Sequence, residues 1–317
     1  MSQLLIVGIE NVAGANFAAA LSEHYRVFGL SANSPLSILG CETDCYDEDD
    51  STAPKSWIDR LNPQWIIYCS PASESVWNGP TQSPISESLV AITHHWATAA
   101  AHADIPLTAI SSDAIFTGPW MFHGEESDAH CDSNNAQIIR RMEETIRSAH
   151  ARSLIVRTHA IGWSPAGSDG GWLERLYAAL AQGTRINIDC IRHATPIVAT
   201  DLAAIVEHAF QEGLTGTFHV SGSERVNPFQ FAERFADEFD FAPPQHGGQT
   251  QLEERPTGFG QGETSLQTLK IRKRLSIAMP LLSEGLRRLH QQHLTGFVDR
   301  FRVESSQAPS RREAFVA

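Results

Sequence analysis

The sequence lacks the features that mark a membrane protein or a nucleic-acid-binding protein. Its longest apolar runs, such as residues 4–8 and 65–69, are far shorter than the roughly 20 residues that a membrane-spanning helix needs. Lysine and arginine together number 24 against 37 aspartate and glutamate residues, which gives a formal net charge of -13. A protein with that charge repels a phosphate backbone. We therefore expect no membrane partner and no nucleic acid partner.

Tyrosine, lysine and cysteine are also scarce. The four tyrosines are Tyr25, Tyr46, Tyr68 and Tyr177, and the three lysines are Lys55, Lys270 and Lys273. No tyrosine therefore stands four residues before a lysine, the spacing that places two side chains on one helix face. The 5 cysteines are dispersed and odd in number, which favours reduced thiols and gives no metal-ligand pattern. Because the first residues lack the basic flank and the long apolar stretch of a signal peptide, we expect a cytoplasmic protein.

Short apolar runs alternate with longer helical stretches over the first 160 residues or so, a pattern typical of a parallel sheet wrapped by helices. The predicted strands cover residues 4–8, 25–30, 64–69, 107–111 and 153–157, and the predicted helices cover 13–23, 86–103 and 135–150. The fold class predicted from this order is α/β with a doubly wound parallel sheet. A turn-rich stretch at residues 164–171 then introduces a more helical region.

The first predicted strand runs into a turn with Gly8, Asn11 and Gly14. Glycines at such a turn let backbone N–H groups approach the pyrophosphate of a dinucleotide at the helix N-terminus. Asn11 replaces the middle glycine and brings a side chain into that space, so a simple strand-to-helix turn without a ligand stays an open alternative. Residues 30–33 offer no carboxylate for an adenosine ribose and no arginine for a 2′-phosphate. NAD or NADP is a possible cofactor on this pattern, with weak support for either.

Several further segments, taken in chain order, resemble one known family. Residues 63–72 are similar to its cofactor-covering strand and loop, and residues 110–118 (Ile-Ser-Ser-Asp-Ala-Ile-Phe-Thr-Gly) are similar to its Ser-Thr-Asp-Tyr-Val-Phe-Asp-Gly segment. Arg157-Thr158, Thr195-Pro196, residues 216–222 and Arg255-Pro256 continue the match. The chain thus resembles the extended short-chain dehydrogenases/reductases, and among them the dTDP-4-dehydrorhamnose reductase branch, over residues 3–290.

The resemblance implies a Rossmann-like nucleotide-binding domain over residues 1–162, to which 195–222 return. It also implies a smaller C-terminal substrate-binding lobe over 163–300, with 302–317 expected to form a flexible tail. A nucleotide or nucleotide-sugar is the implied ligand, and a homodimer is possible because helices of this family often pair across a two-fold axis. The implied cofactor-binding residues are Gly8, Asn11, Gly14, Cys69, Ser70, Pro71 and Arg141, and the implied substrate residues are Arg157, Thr158, Arg192, Thr195, Pro196 and Arg255.

The sequence departs from the family at the catalytic pair. The family uses Tyr-x-x-x-Lys on the helix after the Ser-x-x segment, where the tyrosine protonates a carbonyl oxygen as hydride arrives. Matching the helix through Met142 and Glu143 places Gln137 at the tyrosine position and Arg141 at the lysine position. Ser112 would be the remaining member of the catalytic set, although a hydroxyl that caps a turn explains it equally well.

Three hypotheses of function follow from the resemblance and from this departure. The first is a protein that binds a dinucleotide, a nucleotide-sugar or both without ordinary reductase activity. The second is an active NAD(P)H-dependent reductase of a nucleotide-sugar ketone that uses a substitute acid, with His123 and His130 as candidates. The third is a noncatalytic regulatory subunit, because one such subunit, that of methionine adenosyltransferase, resembles the same branch.

Overall fold

A seven-stranded sheet forms the centre of the computed structural model, which describes residues 1–32, 35–77, 84–165, 170–185, 188, 190–244 and 258–303. The strands in these residues are β1 (Gln3–Val7), β2 (Arg26–Ser31), β3 (Leu36–Ile38), β4 (Glu42–Cys45), β5 (Trp65–Cys69), β6 (Leu107–Ser112), β7 (Leu154–Thr158), β8 (Ala160–Ile161), β9 (Ile197–Val198), β10 (Gly216–His219) and β11 (Phe301–Val303). The helices are α1 (Val12–Leu21), α2 (Ala53–Leu61), α3 (Ser88–His102), α4 (Asn134–Ala149), α5 (Trp172–Ala181), α6 (Ala199–Gln211), α7 (Pro228–Glu238), α8 (Leu269–Leu275) and α9 (Leu282–Leu294). None of the helices in these residues is long and apolar enough to cross a membrane.

The strand order across the sheet is β10-β7-β6-β5-β1-β2-β4, and every neighbouring pair is parallel. Parallel neighbours need crossover connections, which the intervening helices provide on both faces of the sheet. The predicted fold class, an α/β Rossmann-like doubly wound sheet, is therefore confirmed. Among the strands that the first 160 residues contribute to this sheet, β4 is the one that the sequence pattern did not predict, because it lies at the sheet edge and carries Glu-Thr-Asp-Cys rather than an apolar run.

Alternation along each central strand divides the interior into two cores. Leu4 and Ile6 face the side covered by α1 and α6, where they share an apolar cluster with Phe17. Leu5 and Val7 face the opposite side, which α2, α3 and α4 cover. Side chains alternate with period two along a strand, so the two sets point to opposite faces of the sheet. Because helices cover both faces, all four residues are buried and the strand is a continuous apolar run.

The C-terminal half of the chain builds a separate helical lobe and also returns to the sheet. α5, α7 and α9 enclose a third apolar cluster that includes Trp163, Leu176, Phe235 and Leu289. Between these helices the chain passes through α6, which packs on α1, and β10, which pairs with β7. The lobe is therefore joined to the sheet domain by several crossings of the chain.

β11 pairs antiparallel with β3, outside the main sheet. Arg302 lies opposite Ser37, and Val303 lies opposite Leu36. Residues 302 and 303 were expected to belong to a flexible tail, but they lie in this strand pair. Their backbone groups pair with those of β3. Residues 304–317, the rest of that expected tail, lie outside the described part of the chain.

Candidate functional site

The candidate site lies at the carboxyl ends of β1, β5, β6 and β7. β1 stands between β5 and β2, so the strand order reverses there, and doubly wound sheets bind ligands in the crevice outside such a reversal. β6 and β7 end level, with Ser112 opposite Thr158, and β5 ends at Cys69, which lies opposite Ile110, two residues before the end of β6. The loops that follow these strands therefore converge, and they carry most of the site residues predicted from the sequence.

The turn between β1 and α1 is determined by its contact with the end of β5. Gly8 has a φ of +87°, and a Cβ atom there would lie 1.6 Å from the carbonyl oxygen of Cys69. A Cβ atom on Gly14 would lie 2.2 Å from the carbonyl oxygen of Gly8. The Asn11 side chain donates through Nδ2 to the carbonyl oxygens of Gly8 and Cys69, each at 3.1 Å. Packing within the chain thus accounts for both glycines and for the asparagine.

A carboxylate of the chain itself bonds to the first N–H group of α1. Val12 donates its backbone N–H to Glu74 Oε1 at 2.8 Å, and the N-cap residue Asn11 makes no side-chain bond to the helix. In doubly wound folds this helix end binds the diphosphate of a dinucleotide. A carboxylate oxygen of the protein therefore bonds to the N–H group to which a dinucleotide in the expected position would present a phosphate oxygen.

The loop after β5 closes on itself and touches α4. Ser70 accepts a hydrogen bond from the Ala72 N–H at 3.2 Å and donates its own hydroxyl to Met142 Sδ at 3.6 Å. Pro71 is exposed and begins a short 3-10 turn that ends at Ser73. Met142 is therefore the α4 residue that lies beside this loop.

The α4 helix presents apolar residues to the sheet and polar residues to solvent. Ile138, Ile139 and Met142 are fully buried. Gln137 is exposed and donates its amide to the Asp132 carbonyl oxygen at 2.9 Å. Arg141 is exposed as well. The structure thus places Gln137 and Arg141 on the outer face of α4, whereas the sequence register expected them beside the strand ends.

The partner of Arg141 supports that placement. Its guanidinium forms an ion pair with Glu87 at 2.5 Å, and both side chains are more than half exposed. Gln137 and Arg141 border an open groove of about 840 Å³ on this outer side of the helix. A ribose or phosphate contact by Arg141 would therefore lie in this groove.

Ser112 and Thr158 lie side by side where β6 and β7 end. The Ser112 hydroxyl accepts the Ala114 N–H at 3.1 Å, so it caps the 3-10 turn that follows β6. The Thr158 hydroxyl is buried without a hydrogen-bond partner among the described residues. An unsatisfied buried hydroxyl costs free energy, and this one is enclosed by the protein at the end of β7.

Arg157, expected to bind substrate phosphate, is instead part of a buried ion pair. Its Nε lies 3.0 Å from Glu143 Oε1, and one terminal nitrogen lies 2.7 Å from Glu143 Oε2. The Ser111 hydroxyl donates to the same carboxylate at 2.7 Å. The other terminal nitrogen of Arg157 donates to the Glu125 carbonyl oxygen at 3.2 Å. Every charged group of this pair is satisfied inside the protein, so Arg157 holds β7 to α4.

A buried chain of hydrogen bonds connects Ser75, His159 and Asp113. Ser75 Oγ lies 2.8 Å from His159 Nε2, and His159 Nδ1 lies 2.9 Å from Asp113 Oδ2. Thr264 donates its hydroxyl to the same Asp113 oxygen at 2.6 Å. The order hydroxyl, imidazole, carboxylate is that of a hydrolytic triad. Here, however, Ser75 is 5% exposed and accepts the N–H of Trp77 at 3.1 Å, so the network connects loops rather than presenting a nucleophile.

The remaining substrate residues predicted from the sequence lie between the sheet and the lobe. Arg192 donates to the Val76 carbonyl oxygen at 3.3 Å. Thr195 donates its hydroxyl to Ser221 Oγ at 3.0 Å, and Pro196 is buried beside it. Arg255 lies outside the described residues.

Two histidines considered as substitute acids pack against one aromatic ring. The His123 ring stacks on Phe116 with 4.7 Å between ring centroids, and the His130 ring lies 5.6 Å from the same ring. The His123 nitrogens lie 3.2 Å from Ser127 Oγ and from the Glu263 carbonyl oxygen. Burial lowers the pKa of His123, and partial burial, assisted by the charge of Arg140, lowers the pKa of His130. Both rings are therefore neutral near pH 7.

Glu74, Ser75 and His159 are site residues that sequence reasoning missed. Glu74 and Ser75 directly follow the predicted cofactor loop, and His159 directly follows Arg157-Thr158. Their positions after predicted strands are a usable signal, because residues at carboxyl strand ends converge on the crevice. Within the described residues, no group of three His, Cys, Asp or Glu side chains could hold a metal ion.

Comparisons with solved structures show the same architecture. The dTDP-4-dehydrorhamnose reductase of Bacillus anthracis, solved in complex with NADP, matches with a TM-score of 0.75 at 16% identity, covering 92% of this chain and 99% of that one. The UDP-glucose 4-epimerase of Thermotoga maritima, solved with UDP-glucose, matches with a TM-score of 0.71 at 13% identity, covering 92% and 99% of the two chains. At these identities the likeness shows the fold.

Comparisons of the amino-acid sequence identify the family. A curated relative, the probable low-salt glycan biosynthesis reductase of Haloferax volcanii, is 22% identical over 237 residues, which are 73% of this chain and 78% of the relative. The family model described as RmlD substrate binding domain matches residues 1–294, which include both the sheet and the helical lobe. The resemblance to the dTDP-4-dehydrorhamnose reductase branch is thus confirmed, and the chain belongs to the family of the RmlD substrate binding domain.

Proposed function

We propose that this protein binds a nucleotide-sugar and does not reduce it. The observation that carries the proposal is the inner face of α4. Pairs of buried residues four apart on that face are Asn135 with Ile139, Ile138 with Met142, Ile139 with Glu143, and Met142 with Ile146. None of these pairs contains a phenol or a primary amine, the Glu143 carboxylate is held in the ion pair with Arg157, and no tyrosine in the whole sequence stands four residues before a lysine.

The chemistry of ketone reduction explains why these side chains matter. As hydride reaches the carbonyl carbon, negative charge grows on the oxygen, and a positioned acid must supply a proton. Isoleucine and methionine have no acidic proton, and an asparagine amide does not act as an acid near pH 7. Loss of general acid catalysis typically costs a factor of about 10² to 10⁴ in rate, whereas ligand binding does not depend on it.

The neutral, stacked histidines give little support to the substitute-acid alternative. Both His123 nitrogens have partners within the protein, and the lowered pKa values leave His123 and His130 without the extra proton near neutral pH. Few of these imidazoles would therefore carry the proton that general acid catalysis requires near neutral pH.

The ligand class rests on family membership and on the crevice. The names of two matched structures contain dTDP-4-dehydrorhamnose and UDP-glucose, and both of these compounds are nucleotide-sugars. The family model extends over the lobe as well as the sheet, so the surfaces that face each other across the crevice belong to one family pattern.

The proposal is tested by separate binding and turnover measurements on the full chain. Isothermal titration with dTDP-glucose and UDP-glucose is expected to show binding of at least one of them. NADH or NADPH mixed with the protein and a dTDP-4-keto sugar is expected to remain unoxidised, with an active reductase of the family as the positive control. Rapid oxidation of either nicotinamide would overturn the proposal, and its collapse in His123→Ala or His130→Ala would assign that activity to a substitute acid.

A further inference from the structure

The amino end of α1 has an internal anionic partner. Val12 is the first residue of this 10-residue helix, so its N–H is among those that the helix cannot pair itself. Glu74 Oε1 accepts that N–H at 2.8 Å. A carboxylate is also favoured there by the helix dipole, for the same reason that a phosphate group is.

The loop that carries Glu74 is held in place by several hydrogen bonds. The Ser73 hydroxyl donates to the Ser70 carbonyl oxygen at 2.7 Å, and the Ser73 N–H donates to the same oxygen at 2.8 Å. The Glu74 N–H donates to the Pro71 carbonyl oxygen at 3.3 Å. Asn11 fastens the β1 turn to Cys69, the residue that precedes this loop. The carboxylate is therefore directed to the helix by a built turn, and releasing it requires a change in that turn.

The charge around the helix end adds to the effect of this contact. Glu10 lies in the β1 turn, and its pKa is raised first by desolvation of the carboxylate, although the residue as a whole is exposed, and further by the negative charges of Glu48 and Glu74. A dinucleotide brings two phosphate charges to this position and would meet like charge from these three carboxylates. Displacing Glu74 alone would leave the Glu10 carboxylate in the β1 turn.

We propose that Glu74 replaces the cofactor phosphate at the amino end of α1, so that the protein does not bind NAD, NADP or another ligand that would place a diphosphate there. The proposed lack of reductase activity is a separate matter, because it concerns the proton donor and this inference concerns binding alone. A nucleotide-sugar that uses the crevice must accordingly place its diphosphate elsewhere. Glu74 is in this sense a specificity-determining residue of the fold.

The experiment compares four proteins for binding of NADPH, NADH and inorganic pyrophosphate by titration calorimetry. Glu74→Ala removes both the charge and the hydrogen-bond acceptor, whereas Glu74→Gln removes the charge and keeps an acceptor for Val12. Glu23→Ala is the matched control, because Glu23 is an exposed acid just beyond the other end of α1 and its loss changes the net charge equally. Amide hydrogen exchange at Val12 reports whether its N–H is released in each variant.

We expect no binding by the unmodified protein or by Glu23→Ala at ligand concentrations up to about 1 mM. Glu74→Ala is expected to gain at least about tenfold in affinity for pyrophosphate and NADPH, with faster exchange at Val12. Glu74→Gln is expected to gain less, because it still occupies the N–H group. If Glu74→Ala does not fold, the smaller gain in Glu74→Gln remains the test. Binding of NADPH by the unmodified protein as tightly as by Glu74→Ala overturns the inference. It is also overturned if Glu74→Ala and Glu74→Gln fold and bind pyrophosphate and NADPH no more tightly than Glu23→Ala does.

Discussion

The buried pair of Glu143 and Arg157 offers the sharpest test of how this fold is held together. The two side chains are 1% and 8% exposed, and Ser111 donates a further hydrogen bond to the carboxylate. If Glu143 becomes leucine, the guanidinium stays buried with its charge unpaired. Breaking a buried ion pair from one side costs about 3–5 kcal/mol. We expect Glu143→Leu to lose about that much of the free energy of unfolding.

The loss can be measured by urea unfolding followed by circular dichroism. A loss of about 3 kcal/mol lowers the melting temperature by about 4–5 °C in a chain of 317 residues, because the entropy of unfolding is about 2.1 cal/mol/K per residue. Glu144→Ala is the matched control, because Glu144 is the next residue on α4, is 68% exposed and pairs with Arg147 on the surface. An exposed pair contributes about 0–1 kcal/mol, so this control should remain close to the unmodified protein.

A double-mutant cycle separates the pair from its surroundings. Arg157→Leu alone should also be destabilised, because it leaves the buried Glu143 carboxylate with only the Ser111 hydroxyl and the half-exposed Arg147, 3.8 Å away. The double variant Glu143→Leu with Arg157→Leu should recover most of the loss, because two apolar side chains leave no buried charge. If each single variant costs less than about 1 kcal/mol, or if the double variant costs the sum of the two, the reasoning is refuted.

Two further predictions concern the lobe and the β1 turn. Burial raises the pKa of Glu174 to about 6, so its stabilising, protonated form is lost as the pH rises through that value. The free energy of unfolding of Glu174→Gln should therefore exceed that of the unmodified protein by about 2 kcal/mol at pH 8, with no such gain at pH 4. Urea titrations at both pH values measure this difference. Gly8→Ala should lose at least about 2 kcal/mol, because its Cβ would lie 1.6 Å from the Cys69 carbonyl oxygen at a φ of +87°. Gly183→Ala, at a φ of +63° with no atom within 4 Å of its Cβ, should lose only about 1 kcal/mol, and equal losses in the two glycine variants would contradict the steric argument.

The central strands and main helices could be predicted from the sequence because buried strands are continuous apolar runs and buried helix faces repeat apolar residues with the helical period. The predicted strand at residues 4–8 is observed as Gln3–Val7, and the predicted helix at 135–150 is observed as Asn134–Ala149. Shifts of one or two residues are ordinary at element ends. The edge strand β4 was missed because its residues alternate between half-exposed and exposed and carry no apolar run.

The buried face of α4 could be predicted from the sequence, but the family motif and the spacing of apolar residues gave different answers. The motif match placed Gln137 and Arg141 at the reacting site, whereas the helical period of Ile138, Met142 and Ile146 identifies the buried face. Arg140, Arg141 and Glu144 lie between these positions and point to solvent, whereas Glu143 is buried in its pair with Arg157. The hydrophobic period was the stronger physical constraint, since an apolar face has to be buried whatever the family motif.

The partners of charged residues could not be predicted in the same way. Arg157 was expected to bind phosphate, and nothing in the local sequence shows that Glu143 reaches it across the sheet. Glu74 and Val12 are likewise far apart along the chain and meet only because β1 and β5 are neighbours. Such contacts depend on strand order and on the paths of loops, which the sequence pattern of each element does not encode.

The pairing of β3 with β11 has a consequence for folding. It joins a segment near residue 37 to one near residue 302, so the protein contains a contact that forms only after the chain as far as residue 303 has emerged from the ribosome. Until then β3 keeps an unpaired edge, and such edges invite association with other chains. A chaperone that shields this edge, or a short peptide carrying the β11 residues supplied in trans, would accordingly raise the yield of a truncated protein.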